Sequence, residues 1–343
     1  MRNLSTVFPG LEEENRRLRI FFAVSFGLPW LMGVVMAYIY YNYPERSLSG
    51  FPFIQMLCPA SGVMLAYLCS KNLKPELPVV FYYFFLSVTL CFTIGTLVGV
   101  FIGINLDYLL EIVTIGATIV TYFIYYYTNS EKLKKSGLTF RVNWRKTLCY
   151  SMLFILLYAA TTVLASLFLS EKIDINSKSI SMIILMPFSL LFAFLPYLGE
   201  EYGWRFFLQP ILQRRYGNVR GVLILGLVWG IWHLPLNIFY YNDPECALQS
   251  ILGQLVFCVA LGIFMGYVYL KTENVWSVVI IHFLNNSFAG AFSGGDIKKE
   301  LISWDDFLLS CGVVCVVYLP FLFAKIYRQN NASQIESVGD DDC

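Results

Sequence analysis

Ten long apolar segments dominate this sequence and limit it to one fold class. A helix needs about 20 mostly apolar residues to cross a bilayer. Segments of that kind occupy residues 18–41, 51–70, 79–103, 108–128, 147–169, 180–198, 219–240, 249–270, 275–292 and 304–327. Hydrophobic residues make up 57% of the chain and charged residues only 14%, which is more apolar surface than a soluble globule can bury. The sequence therefore predicts an all-α, polytopic transmembrane helical bundle of about ten spans, with a range of eight to ten.

The distribution of basic residues predicts how these spans are oriented. Lys and Arg collect in cytoplasmic loops, and with ten spans most of the 24 basic residues fall on the side that holds both termini. An odd number of spans is the alternative, if residues 275–292 re-enter the membrane instead of crossing it. We expect a multi-pass integral membrane protein with both termini in the cytoplasm. Its short loops favour a prokaryotic cell membrane over the endoplasmic reticulum.

The whole chain, residues 1–343, is expected to form a single membrane domain. Within it we distinguish N-terminal helices of unassigned role (1–178), catalytic core helices (179–327) and a short polar tail (328–343). The net charge of +1 and the lack of interleaved basic and aromatic residues in the loops argue against nucleic acid as a partner. The lipid bilayer is one expected partner, and the oligomeric state is open.

Titratable side chains inside the predicted spans point to an active site. The chain has only two histidines, His233 and His282, and both lie within apolar segments, while Glu200 and Glu201 follow the sixth. Ionisable groups inside a membrane are costly and are functional-site candidates by default. Each has a simpler explanation when taken alone: an interfacial salt bridge for the glutamates, and a hydrogen-bonded packing role for each histidine. Their concentration in one part of the chain favours an intramembrane enzyme.

The first cluster is Glu-Glu-Tyr-Gly-Trp-Arg, residues 200–205. On a helix Glu201 and Arg205 are at positions i and i+4, so they can pair. That pairing leaves Glu200 about 100° around the helix and facing elsewhere. A carboxylate in a low-dielectric pocket suits the role of a general base.

Two further clusters place an aromatic ring, two imidazoles and an amide on helical faces. Trp229 and His233 are separated by four residues, so the indole can wall one side of the imidazole, and Pro235 should bend the helix close to that histidine. His282 and Asn286 share the same spacing, which lets two hydrogen-bond donors converge on one oxygen, as an oxyanion hole requires. Asn285 lies off that face and is expected to form a helix–helix hydrogen bond.

The order of these motifs is specific. Glu-Glu-x-x-x-Arg, then aromatic-x-x-x-His, then His-x-x-x-Asn on three separate spans resembles the CAAX prenyl protease and bacteriocin-processing family, also called type II CAAX endopeptidases or the abortive-infection family. The resemblance covers roughly residues 180–325. One position departs from the family pattern, because Trp229 stands where phenylalanine is usual.

This resemblance implies hydrolysis of a peptide bond inside the membrane without a covalent enzyme intermediate. Glu200 and His233 would hold and deprotonate a water molecule, and His282 and Asn286 would stabilise the oxyanion. Glu201 and Arg205 would form a supporting pair. We expect no metal or other cofactor. The alternative is a zinc enzyme with Glu200, His233 and His282 as ligands, a set that catalytic zinc accepts.

The substrate and the class of function leave alternatives open. The resemblance implies cleavage near the C-terminus of a prenylated, CAAX-type peptide or of another membrane-associated peptide. A non-enzymatic bacteriocin-immunity or scaffold protein on the same fold is one rival, although all three motifs are complete. A proton-coupled carrier is another, because Glu and His inside spans also serve proton relays, but we find no inverted repeat of the kind that transporters carry.

Overall fold

The computed structural model describes residues 10–168, 176–242, 244–292 and 303–328, and all regular structure in these ranges is helical. Twelve helices build the bundle, and their bounds in chain order are α1 (Leu11–Asn42), α2 (Gly50–Leu68), α3 (Val79–Ile102), α4 (Asp107–Tyr127), α5 (Trp144–Phe168), α6 (Ser177–Ala193), α7 (Leu195–Tyr216), α8 (Asn218–Trp232), α9 (Leu234–Phe239), α10 (Ala247–Thr272), α11 (Val275–Phe292) and α12 (Trp304–Phe323). Shorter helical turns lie at Lys71–Glu76, Ser130–Lys135, Pro244–Cys246 and Lys325–Arg328.

The prediction of an all-α, multi-pass membrane bundle is confirmed. Within the described ranges, eight helices are long and apolar enough to cross a bilayer, and the bent pair α6–α7 brings the number to nine. α6 and α7 meet at an angle of 71°, near the C-terminal end of the predicted span at residues 180–198. The cause is Pro196 in the first turn of α7, which lacks the backbone N–H that would continue the helix of α6.

The predicted span at residues 219–240 does not form one unbroken helix long enough to cross a bilayer. α8 has 15 residues, about 22 Å at 1.5 Å per residue, against a hydrocarbon core of about 30 Å. It ends at His233, and α9 resumes with Pro235 in its first turn. The sequence therefore overstated the regularity of this segment, because Pro235 breaks the helix beside the histidine. Most of the predicted polar tail, residues 329–343, lies outside the described ranges.

The N-terminal half supplies the most buried helix of the bundle. In α2, 78% of the apolar window is buried, against 11% in α5 and in α12. α2 packs against α1, α3 and α7, so it lies between other N-terminal helices and a helix that carries titratable residues. α5 and α12 lie at the periphery and pack against each other. Of the first five predicted spans, the second therefore lies at the centre of the protein and the fifth at its edge.

Close contact between α2 and α7 depends on two glycines of α7. A Cβ atom on Gly199 would lie 2.4 Å from the carbonyl oxygen of Met56, and one on Gly203 would lie 2.3 Å from Cβ of Pro59. We expect Gly203→Ala to lower the free energy of unfolding by about 1–3 kcal/mol through overpacking, measured by denaturation in detergent. Gly95→Ala is the matched control, since nothing lies within 4 Å of its added methyl group. Equal effects of the two substitutions would contradict this packing.

Candidate active site

Three helices bring the sequence motifs together inside the bundle. Glu200 and Glu201 lie at the second turn of α7, Trp229 lies in the last turn of α8, and His282 lies in the first half of α11. The polar cluster at this place consists of six buried side chains: Glu200, Glu201, Arg205, Trp229, His233 and His282. Residues separated by more than 80 positions in sequence therefore share one polar cluster in an apolar surrounding.

Glu201 and Arg205 form the buried pair that their spacing predicts. Nε of Arg205 lies 3.2 Å from Oε2 of Glu201, at an angle unsuited to a hydrogen bond, so the contact is an ion pair. A second contact of 3.5 Å joins Nη1 to Oε1. Both side chains are completely buried, so each charge depends on the other for compensation. The guanidinium also lies 4.4 Å from the centroid of the Trp229 ring.

His282 lies between the two carboxylates. Its Nδ1 is 2.8 Å from Oε1 of Glu201, which accepts the N–H. Its Nε2 faces Oε1 of Glu200 at 4.0 Å, too far for a direct hydrogen bond. The ring of Tyr197 packs edge-on against the imidazole at 5.4 Å. Glu201 thus fixes the orientation of His282 and aims its second nitrogen toward Glu200.

Trp229 contacts the site in a way that the sequence did not predict. Its indole ring packs 5.9 Å from His233 and 5.7 Å from His282, measured between ring centroids. In addition, its Nε1–H donates a hydrogen bond of 2.9 Å to Oε2 of Glu200. The aromatic residue was expected to act as an apolar wall, but it also supplies a polar donor, because indole has an N–H where a phenyl ring has none.

His233 occupies the break between α8 and α9. Its Nδ1 lies 2.8 Å from the backbone carbonyl oxygen of Trp229. Because a carbonyl oxygen can only accept a hydrogen bond, Nδ1 carries the proton. The neutral ring then has its lone pair on Nε2. Sγ of Cys258 lies 3.9 Å from the same Nδ1. The imidazole therefore presents an acceptor nitrogen on the side away from the helix backbone.

Two hydrogen bonds to the N-terminal helices hold this break in place. Nε2 of Gln55 in α2 donates to the carbonyl of Trp232 at 2.9 Å, and Nε1 of Trp232 donates to the carbonyl of Ser25 in α1 at 2.7 Å. The break leaves backbone carbonyls without helical partners, and buried carbonyls need partners. Sequence reasoning missed Gln55, although a lone polar residue in the middle of an apolar span was the signal that could have identified it.

Asn286 lies apart from the buried cluster. It is one turn beyond His282 on α11, as predicted, but its side chain is exposed. Its Oδ1 accepts a hydrogen bond of 3.0 Å from Nδ2 of Asn285, which is the more buried of the two amides. The face shared by His282 and Asn286 therefore runs from the buried cluster to an open surface of the protein.

Glu200, His233 and His282 do not form a ready metal site in this arrangement. Catalytic zinc needs three donor atoms at about 2 Å from one point. Among residues 10–168, 176–242, 244–292 and 303–328, no group of three or more His, Cys, Asp or Glu side chains is placed to hold a metal ion.

Comparison with known proteins shows which family the helices around this site resemble. Residues 182–288 match the family model described as type II CAAX prenyl endopeptidase, Rce1-like, and this range contains every residue of the polar cluster and Asn286. This match agrees with the resemblance to the CAAX prenyl protease and bacteriocin-processing family that the sequence motifs indicate. Five of the twelve helices described here, α1–α5, precede the range matched by the family model.

The chain is also similar to a curated protein named CAAX prenyl protease 2 from Methanococcus maripaludis. It is 31% identical to this chain over 126 residues, which are 34% of the chain and 42% of the relative. The match thus spans less than half of that relative's length. No solved structure matches the chain significantly.

Proposed function

We propose that this chain is an intramembrane endopeptidase in which Glu200 accepts a proton from a water molecule that attacks the scissile peptide bond. The observation that carries the proposal is the geometry of Glu200 and His282, two buried groups that face each other at 4.0 Å. Neighbouring side chains hold both in place, namely Trp229 and Glu201. The match of residues 182–288 to the type II CAAX prenyl endopeptidase model supports the same class of reaction.

The gap between Glu200 and His282 fits one water molecule. A water oxygen about 2.8 Å from both Oε1 of Glu200 and Nε2 of His282 would form an angle of about 90° with these two atoms. This angle is within the range that hydrogen bonds of water tolerate. The carboxylate accepts one proton of this water. Nε2 of His233, which carries a lone pair, is the acceptor that we assign to the other proton. This assignment keeps the two roles that the motifs suggested for Glu200 and His233.

A charge argument supports His282 as the group that stabilises the oxyanion. Glu200 and Glu201 carry two negative charges and Arg205 carries one positive charge, so a protonated His282 makes the buried cluster neutral. Buried charges are stable only when they are compensated. In the protonated ring Nε2–H is a donor that points toward the reaction centre, as an oxyanion hole needs. We assign Asn286 as a second donor, which reaches the substrate from the open side of α11.

The proton then returns to the leaving group. Water attacks the carbonyl carbon as its proton passes to Oε1 of Glu200, and the negative charge moves to the carbonyl oxygen. When the tetrahedral intermediate collapses, the C–N bond breaks and the nitrogen of the released peptide takes the proton from Glu200. One water molecule is consumed, and the base is restored to its starting state.

We propose a CAAX-type peptide, one whose cysteine carries a prenyl group near the C-terminus, as the substrate class. The support is the name of the relative from Methanococcus maripaludis. The test compares membranes from cells that express the wild type or Glu200→Ala and identifies new protein C-termini by mass spectrometry. Termini that end at a prenylated cysteine only with the wild type would support the proposal. New termini at unmodified internal sites would still support the proposed peptidase activity but would exclude this substrate class.

We also propose that the reaction needs no metal ion. Treatment of the purified protein with a tight zinc chelator is expected to leave cleavage of an S-farnesylated peptide within twofold of the untreated rate. The physical reason is that Glu200 activates water without a Lewis acid. A parallel sample of a known zinc protease confirms that the chelator strips metal. Complete loss of activity that added zinc restores would favour the alternative with Glu200, His233 and His282 as ligands.

We propose that both ends of the chain face the cytoplasm. Contacts support placing the ends on one side of the bundle: Oε1 of Glu14 accepts from Nη2 of Arg215 at 2.6 Å, and Nδ2 of Asn218 donates to the carbonyl of Ile326 at 3.1 Å. The start of α1 and the segment after α12 therefore both lie beside the α7–α8 connection. The excess of Lys and Arg on that side supports a cytoplasmic location.

A further inference from the structure

We infer that Trp229 is a positioning residue that selects the proton-accepting oxygen of Glu200 and the tautomer of His233 together. This inference rests on the proposed function, because it assigns how the base of that reaction is set. This role differs from the apolar packing role that the sequence predicted for Trp229, because it depends on the indole N–H and on the backbone carbonyl of the same residue.

The indole N–H decides which oxygen of Glu200 is reactive. It donates to Oε2 at 2.9 Å, and both side chains are buried, so water does not compete for this bond. The other oxygen, Oε1, faces Nε2 of His282 across the gap of 4.0 Å. A carboxylate oxygen that already accepts a strong hydrogen bond is the weaker proton acceptor. Trp229 thereby directs the proton of the attacking water to Oε1.

The backbone carbonyl of Trp229 decides the state of His233. It accepts the proton on Nδ1 at 2.8 Å, which leaves Nε2 as the acceptor. One residue therefore holds Glu200 through its side chain and His233 through its main chain. A shift of Trp229 would move both groups that we assign to the water molecule.

Arg205 strengthens the donor. Its guanidinium lies 4.4 Å from the centroid of the indole ring, and a cation over the ring draws electron density from it. The N–H becomes more acidic and its bond to the carboxylate stronger. Glu201 fixes the position of Arg205. The Glu-x-x-x-Arg pair thus acts on Glu200 through Trp229, a connection that a phenylalanine at this position cannot make, because its ring has no N–H.

The test replaces Trp229 with Phe and, separately, with benzothienylalanine, an isosteric analogue in which sulfur replaces the indole N–H. Cleavage of an S-farnesylated peptide is measured against pH. We expect the acidic limb of the profile to move to higher pH by about one unit, because the ionised carboxylate loses a hydrogen bond. At a fixed pH on this acidic limb, the value of kcat should fall about tenfold, with KM within twofold. The analogue keeps the packing of the indole if the Phe variant fails to fold.

Trp276→Phe is the matched control. Its Nε1 also donates a partly buried hydrogen bond, 2.9 Å long, to the carbonyl of Leu138, but it lies outside the polar cluster. This variant should lose stability without a change in the pH profile. A wild-type profile in both Trp229 variants would overturn the inference.

A second measurement needs no substrate. The protein is labelled with ¹⁵N at the indole nitrogen of tryptophan, and the Nε1–H resonance of Trp229 is assigned from its absence in Trp229→Phe. We expect this resonance to move with pH as Glu200 ionises, and to stay fixed in Glu200→Gln. A resonance that is independent of pH in the wild type would refute the role of Trp229. Full peptidase activity of Glu200→Gln would instead refute the proposed reaction, so the two failures are distinguishable.

Discussion

Glu200→Gln is expected to reduce kcat for cleavage of an S-farnesylated peptide by about 10²–10⁴-fold while the protein stays folded. The amide has nearly the shape of the carboxylate, and its carbonyl oxygen can still accept from Nε1 of Trp229, which lies 2.9 Å from Oε2 in the wild type. What it loses is the capacity to take a proton from water. The change also removes a buried negative charge and so disturbs His282, which faces Oε1 at 4.0 Å. We measure kcat and KM in detergent and in liposomes.

Glu245→Gln is the control for this loss. Glu245 is exposed on the short turn at Pro244–Cys246, so its variant should keep the kinetics of the wild type. A thermal transition of Glu200→Gln close to that of the wild type shows that the fold is intact. If Glu200→Gln retains more than a tenth of the wild-type kcat, Glu200 is not the base, and the proposed reaction fails.

Arg205→Met is expected to lower the free energy of unfolding by about 3–5 kcal/mol, the largest effect on stability that the cluster predicts. The guanidinium lies 3.2 Å from Oε2 of Glu201, and neither side chain contacts solvent. Methionine fills much of the volume of the arginine, but it leaves the buried cluster of Glu200, Glu201 and His282 with one negative charge that is not compensated. Denaturation of the purified protein in mixed micelles measures the change.

The double variant Glu201→Gln/Arg205→Met separates charge from packing. Removing both charges should recover most of the loss, because a buried ion pair can be replaced by neutral groups at little cost. Lys135→Met is the matched control: its partner Glu76 lies at a partly exposed position, so the expected change is below about 1 kcal/mol. A double variant as unstable as Arg205→Met would show that the effect is one of packing.

The positions of the site residues could be predicted because each motif is local. A helix places residues four apart on one face, and this was sufficient to propose the pair Glu201–Arg205 and the shared face of His282 and Asn286. The spacing of residues along one helix does not show how much of a helical face is covered by neighbouring helices. Asn286 shares the face of His282, yet it is exposed, because burial depends on which helices pack beside α11 and not on the sequence of α11 itself.

The break at His233 illustrates the same limit. Pro235 predicted a bend near the histidine, and α8 does end there. Gln55 of α2 donates to the carbonyl of Trp232 at the break, and the indole of Trp232 donates to the carbonyl of Ser25 in α1. No spacing rule connects residues about 180 positions apart. The N-terminal helices therefore had no predictable role until their packing was known.

The sequence by itself determined that this protein is a helical membrane bundle and which side chains can carry its chemistry. Both conclusions follow from local physics: long apolar segments must form helices in lipid, and titratable groups within them are too costly to be incidental. Only the tertiary structure decided which atoms meet. It paired His282 with Glu201, left Oε1 of Glu200 facing Nε2 of His282, and joined Trp229 to Oε2 of Glu200. Hydrogen bonds require contact within about 3 Å, and only the packing of separate helices brings these atoms that close.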